Sequence, residues 1–288
     1  MKISEILKNN KVTVSFEVFP PKQWDKIEST KAVVAEMAKR KPAFMSVTYG
    51  ASATTSGYTT EIANAIKNSG ITPLSHLTCL TSTKDKVEGV IDELAANGIE
   101  NILALRGDIP EGFVFPDEQH FHHACELVEV IKSRGDFCIG GACYPEVHPD
   151  SRNRIEDLAF LKEKVDCGVD FLTTQMFFDN EIFLNFKENC RIKGIEIPII
   201  AGIMPITNAN QIKKSVDRSN CAFPKKFKKI VERFGDRPES MKQAGIIYAT
   251  EQIIDLMANG QNNIHVYTMN KPDVANAIME GLSHIINE

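Results

Sequence analysis

The chain has 288 residues, 43% of them hydrophobic and 25% charged, with a net charge of −5 and the two signs interspersed. Such proportions exclude a disordered tail, a collagen-like rod and a disulfide-stapled miniprotein, and a chain of this length buries roughly three quarters of its unfolded surface without help from a metal or disulfide. The basic excess of a nucleic-acid binder is missing, no apolar run approaches the roughly 18 residues of a membrane span, and MKISEILKNN lacks a signal-peptide core.

In chain order, the strand-like runs are TVSFEVF (13–19), FMSVTY (44–49), ITPLSHLTC (71–79) and NILALRG (101–107), then FCIGGACY (137–144), FLTTQMF (171–177), PIIAGIM (198–204) and NIHVYTM (263–269). Amphipathic helical patterns lie between them. Over 83–98 the apolar stripe is Val87, Val90, Ile91, Leu94 and Ala95, with Gly98 as the stop. Over 154–168 it is Ile155, Leu158, Leu161 and Val165, stopped by Gly168. Strand starts recur at about 30 residues, the length of one βα unit, which predicts a (β/α)8 TIM barrel forming one domain over 1–288. Two further helical patterns, 224–234 and 238–258, are expected as an insertion before the last strand. The rival, an open doubly wound sheet, would carry a glycine-rich phosphate fingerprint after its first strand, and SFEVFPPK has none.

Alternation along strand 1 sets Val14, Phe16 and Val18 against Ser15, Glu17 and Phe19. With the apolar set under the helices, Glu17 points into the lumen, where an unpaired carboxylate costs several kcal/mol. It is either a structural ion pair or part of a site. Ser46 and Thr48 on strand 2, His76 on strand 3, Arg106-Gly107-Asp108 after strand 4, and Thr173, Gln175 and Phe177 on strand 6 form the matching set. Polar groups therefore gather toward the C-terminal ends of several strands, where barrel enzymes build their sites.

Three features carry no site. His120, His122 and His123 lack a cysteine partner at zinc spacing, so no metal site is expected. The lysines of PKKFKK (Lys225, Lys226, Lys228, Lys229) read as the solvated face of a helix whose apolar side carries Phe227 and Ile230. The seven cysteines contain no CxxC, and Cys138 and Cys143 fit the packing of strand 5, which points to a reduced, cytoplasmic protein.

The motifs SFEVFPP (15–21), SVTYGA (46–51), HLTC (76–79), ALRGD (104–108), YPEVHP (144–149), DLAFLKEKVDCG (157–168), TQMFFD (174–179) and HVYTMN (265–270) follow one another at barrel-unit spacing. In that order the chain resembles the methylenetetrahydrofolate reductases, in the short bacterial form without a regulatory domain. The resemblance implies a one-carbon-metabolism flavoprotein that passes a hydride from NADH or NADPH through FAD to 5,10-methylenetetrahydrofolate, giving 5-methyltetrahydrofolate in a ping-pong scheme. By position, Glu17 would be the acid that opens the folate's five-membered ring, Asp108 the carboxylate beside flavin and pterin, Gln175 a contact to folate and nicotinamide, and Gln211 and Lys271 folate contacts. Flavin contacts would fall on Thr48, Tyr49, Ala51, His76, Arg106, Gly107, Asp108, Ala124, Tyr144, His148, Ser151, Asp157 and Lys164, with Arg106 and Lys164 facing pyrophosphate.

The chain departs from the family pattern at His123 (often Tyr), Ser215 (an aromatic) and Lys271 (an Arg). Two rivals stand beside this reading: a flavin- or folate-binding subunit reduced by a partner protein, and a flavin-free barrel lyase using Glu17. No Rossmann-type ribose reader separates NADH from NADPH, and composition does not distinguish a monomer from a homo-oligomer.

Overall fold

The structure is a computed structural model that describes residues 1–9, 11–49, 56–108, 119–212 and 221–286. Strands β1 (Thr13–Val18), β2 (Met45–Val47), β3 (Pro73–Thr78), β4 (Asn101–Leu105), β5 (Cys138–Cys143), β6 (Phe171–Thr174), β7 (Ile199–Ile203) and β8 (Asn263–Tyr267) pair in parallel in chain order. Pairing of β1 with β8 closes the barrel, Phe16 against Val266 and Glu17 against Tyr267. The helices are α1 (Ile3–Leu7), α2 (Ile27–Ala38), α3 (Ser56–Asn68), α4 (Lys84–Ala96), α5 (Ala124–Arg134), α6 (Arg154–Asp166), α7 (Asn180–Ile192), α8 (Lys225–Phe234), α9 (Pro238–Ala258) and α10 (Pro272–Gly281). The expected TIM barrel is present, but of the two helices expected as an insertion only α8 is extra among the described residues; α9 packs between α7 and α10 and is the barrel's own helix linking β7 to β8.

Alternation decides what each strand buries. Val14, Phe16, Val18, Met45, Val47, Ile102, Ala104, Leu172, Ala201, Ile203, Ile264 and Val266 lie in the outer cluster under the helices. The opposite set fills the lumen. Its lower layer is apolar, with Phe44, Leu74, Leu103, Phe171 and Ile200 packed on Ile3 and Leu7 of α1, which plugs the N-terminal end. Asn101 fastens that plug by accepting from the Ile3 amide at 2.8 Å and donating to the Met1 carbonyl at 3.1 Å. Above this floor the lumen turns polar, with Ser15, Ser46, His265, Glu17 and His76 all buried.

Glycines mark where the wall leaves room for a ring. A Cβ on Gly140 would lie 2.5 Å from the Phe171 ring, and one on Gly202 would lie 2.5 Å from the Tyr267 hydroxyl.

Several details differ from the expectations of the sequence. Each strand stops one to three residues before its hydrophobic run ends, because the chain turns out of the sheet there. Phe177, expected with the lumen set, stacks on Phe183 at 5.0 Å in the outer cluster, since β6 ends at Thr174 and alternation ends with it. Ile155 is 80% exposed: at 100° per residue it sits roughly a quarter turn from the stripe of Leu158, Leu161 and Val165. Ala95 is also exposed, one residue past the buried Leu94. Cys138 and Cys143 are buried as expected. The PKKFKK segment is helical, with Phe227 buried beside Phe178 and Phe223 and the four lysines exposed. No helix among the described residues is long and apolar enough to cross a membrane.

Candidate active site

Glu17 stands in the lumen near the C-terminal end of β1, with Ser46 and Tyr267 as its register partners on either side. Burial alone pushes its carboxyl up to about 8. The nearest basic group, His76 Nε2, lies 3.7 Å from Glu17 Oε2, beyond hydrogen-bonding distance, and burial pushes His76 down to about 3. Burial favours the neutral form of both the acid and the imidazole, which weighs against a structural ion pair. His76 Nε2 and Thr173 Oγ1 are buried polar atoms without a partner in the lumen, the kind of group a bound ligand satisfies.

A second neutral network lies beneath. Ser15 Oγ donates to the Ile264 carbonyl at 2.9 Å, so it accepts from His265 Nδ1 at 2.8 Å. His265 Nε2 then accepts from Ser46 Oγ at 3.1 Å. Burial holds His265 at about 3. The floor under Glu17 therefore offers no positive charge to ionise it. Neither His265 nor Tyr267 was expected from the sequence, although the alternation applied to strand 1 singles them out against Ile264 and Val266.

The polar rim is built by the loops after β4 and β5. Gly107, at φ 92°, turns the chain so that Asp108 emerges at the surface; a Cβ there would also press on Thr78 at 3.1 Å. Arg106 pairs with Asp150 and lowers that carboxyl. Asp108 and Arg106 both act electrostatically on Tyr144, whose phenol burial pushes up to about 12. Tyr144 meets His148 edge-on at 4.5 Å. Between them Val147 holds φ 80°, a left-handed conformation costing a β-branched residue about 1–3 kcal/mol, in a turn closed by its amide on the Tyr144 carbonyl.

Asp157 anchors this loop from α6, accepting from the His148 amide at 3.3 Å and from Ser151 Oγ at 3.1 Å. Lys164, further along α6, donates to the Ala142 carbonyl and is pushed down by burial. Arg106, Asp157 and Lys164 all act on the His148 ring, so these expected residues form one cluster. Ala124 opens α5 behind His123, its N-cap, and Glu126 accepts from the His122 and His123 amides at 3.1 and 3.0 Å. Thr48 continues the sheet by donating its amide to the Val18 carbonyl, and its own carbonyl accepts from Thr59 Oγ1. Tyr49 packs on the outer cluster. Ala51 and Ser215 lie outside the described residues.

Across the mouth, Gln211 Oε1 accepts from the Thr207 amide at 2.7 Å and the Asn208 amide at 3.0 Å. Lys271 Nζ donates to Thr207 Oγ1 at 2.7 Å. Thr207, unremarked in the sequence, is the hub that joins Gln211 to Lys271. Gln175 stands apart from that pair at the end of β6, its Oε1 accepting from the Met176 amide at 2.9 Å. The mouth thus combines cations for a pyrophosphate, an unpartnered imidazole nitrogen, and a protonated acid set back in the lumen. This donor set fits a flavin dinucleotide with a second ligand beside Glu17.

A model of the family "Methylenetetrahydrofolate reductase" matches residues 2–283. The 5,10-methylenetetrahydrofolate reductase of Escherichia coli is 36% identical over 272 residues, covering 94% of this chain and 90% of that one. The enzyme of the same name from Buchnera aphidicola is 37% identical over 271 residues, covering 94% and 91%. Methylenetetrahydrofolate reductase (NADH) 1 of Arabidopsis thaliana is 36% identical over 299 residues, which take in 99% of this chain but 50% of that longer protein. Among solved structures, an uncharacterized protein from Clostridium thermocellum, described as binding two copies of 5-methyl-5,6,7,8-tetrahydrofolic acid, superposes with a TM-score of 0.70. At 13% identity, over 99% of this chain and 100% of that one, the likeness shows the fold alone. By the family match and these identities, the chain belongs to the methylenetetrahydrofolate reductase family.

Proposed function

We propose that this chain, acting as a single catalytic barrel, reduces 5,10-methylenetetrahydrofolate to 5-methyltetrahydrofolate, taking the hydride from NADH or NADPH in a ping-pong cycle. FAD, when bound at the mouth, supplies the relay between the two substrates. The observation that carries the reading is Glu17: a buried lumen carboxyl near the C-terminal end of β1, which burial pushes up to about 8.

Opening the folate's five-membered ring requires a proton on nitrogen as the carbon–nitrogen bond breaks. Glu17 below about pH 8 holds that proton without a cation to stabilise its conjugate base. Asp108 supplies negative charge at the rim, where it stabilises the cationic iminium that ring opening leaves on the folate. Gln175 orients the pterin from β6. Gln211 and Lys271, joined through Thr207, hold the glutamate end of the substrate, Lys271 as a point charge. Arg106, now paired with Asp150, and Lys164, now on the Ala142 carbonyl, would hold the pyrophosphate of the flavin and neutralise its charge. Ser151 and Asp157 shape the loop that carries His148.

The protein is expected to purify yellow and to release about one FAD per chain on heat denaturation. Anaerobic titration with NADH and with NADPH, followed at the flavin absorption band, tests the donor half. Bleaching by either supports direct nicotinamide use, whereas bleaching by neither assigns reduction to a partner protein. A colourless protein that binds no added FAD refutes the flavin assignment and favours acid–base chemistry by Glu17.

A further inference from the structure

We propose that Tyr267 is a positioning residue that keeps Glu17 dry, its ring closing a gap that β7 leaves in the lumen wall. The inference rests on the reading of Glu17 as the acid of the folate step. Tyr267 is the register partner of Glu17 on β8. Its ring leans away across β7, where Gly202 has no side chain, and its hydroxyl donates to the Thr174 carbonyl on β6 at 2.5 Å. The fit is tight: a Cβ on Gly202 would lie 2.5 Å from that hydroxyl and 2.8 Å from Tyr267 Cε2. The ring also meets His265 edge-on at 5.5 Å and packs with the cluster of Phe178, Met204 and Ile206.

That geometry acts on Glu17 in two ways. With its proton donated to a main-chain carbonyl, the phenol has no hydrogen bond left to donate to a Glu17 carboxylate. Its ring then joins the lumen to the apolar cluster outside, so removing it opens a path for water over Gly202. The groups facing Glu17 are Ser46 from β2, His76 from β3, and His265 and Tyr267 from β8, with Thr268 Oγ1 on the Glu17 main-chain carbonyl. Among the described residues the rim carries Arg106 and Asp108 after β4, Tyr144, Glu146, His148 and Asp150 after β5, and Lys271 across the mouth as titratable groups. Burial disfavours the charged form of both histidines, so solvation of the carboxylate is the expected cause of a shift.

The test is the titration of the Glu17 carboxyl in the ligand-free protein, followed by NMR with 13C-carboxyl-labelled glutamate and assigned by loss of the signal in Glu17→Gln. Wild type should titrate near pH 8. Tyr267→Ala should lower the midpoint by about one unit or more, as water reaches the carboxylate. Tyr267→Leu, which keeps an apolar side chain and serves if the alanine variant does not fold, should fall between. Tyr267→Phe, which keeps the ring, should restore the midpoint to within about half a unit of wild type. A midpoint that stays near 8 in both Tyr267→Ala and Tyr267→Leu overturns the proposal, even if those proteins melt earlier. The folate step is checked separately by stopped flow. Dithionite-reduced holoenzyme is mixed with 5,10-methylenetetrahydrofolate over a pH series, and the high-pH limb of flavin reoxidation should move with the titrated midpoint. Failure of wild type to reoxidise refutes the functional reading, while the shift measured by NMR still decides whether Tyr267 shields the carboxyl.

Discussion

A single carboxyl sets two pH dependences of this protein. The folded state keeps Glu17 protonated up to about pH 8, while the unfolded chain releases that proton near 4.5. Folded molecules therefore bind more protons across that window, and Glu17 makes stability fall as pH rises through it. His76 and His265 have the opposite sign: held near 3 in the fold against 6.5 unfolded, they make stability fall as pH drops from 6.5 toward 3. Glu17→Gln removes only the first effect. It should match wild type near pH 4 and exceed it by about 2–4 kcal/mol at pH 9, read from urea unfolding at both values. The same substitution keeps the shape and loses the proton. The folate half-reaction should slow by about 10²–10⁴-fold, while reduction by the nicotinamide stays within about tenfold, measured separately by stopped flow. Equal loss in both halves would make Glu17 a support for the barrel. The inward aim of Glu17 was legible from alternation in TVSFEVF. Its neutrality was not, because that depends on side chains of β2, β3 and β8 that meet it only when the barrel closes.

At the scale of elements, strand order and the two helices before the last strand were legible because each is written in local periodicity, while the place of α9 in the helical ring was not, because only its packing on α7 and α10 shows it. Strand ends were not. Thr48, Arg106, Tyr144 and Gln175 sit in runs that read as strand, yet each lies just past the last ladder residue, where the chain turns outward and becomes the site. Whether a hydrophobic run stays in the sheet depends on its neighbours' lengths, and local pattern does not carry that. The hub at Thr207 was missed for the same reason, since it joins the loop after β7 to the N-cap of α10. Close approaches of backbone are equally non-local. A Cβ on Gly245 of α9 would lie 1.8 Å from the Ile206 carbonyl oxygen, a main-chain atom in the loop that leads to Thr207. Gly245→Ala must push helix and loop apart, and a cost of about 1–3 kcal/mol or more is expected. Because that loop carries Gln211, KM for the folate should rise more than KM for the nicotinamide. Steady-state kinetics beside a thermal melt checks both, and an unchanged melting temperature would show that α9 shifts freely.

Taken as a whole, the barrel divides its work between its two ends. Toward the C-terminal mouth lie a buried acid, strained turns and polar atoms without partners, all unfavourable for stability. The N-terminal end is apolar and sealed, with Ile3 and Leu7 of α1 packed on Phe44, Leu74, Leu103, Phe171 and Ile200. Asn101 satisfies the plug's backbone while also donating to the Pro73 carbonyl at 3.1 Å, so it ties α1 to β3 and β4 together. This separation makes a prediction about the molecule rather than about one contact. Ile3→Ala removes a fully buried side chain from the plug, and a buried isoleucine cut to alanine costs about 2–5 kcal/mol. The melting temperature should fall by roughly 5–10 °C. Between Ile3 and Glu17 lies the polar layer of Ser15, Ser46 and His265, whose hydrogen bonds run around the lumen and into the wall, not down to the plug. Both half-reactions measured well below the new melting point should therefore keep their wild-type rates and the same high-pH limb. A folate step that slows in Ile3→Ala, with the protein still folded by circular dichroism, would show that the floor transmits strain to Glu17 and that the two ends act as one.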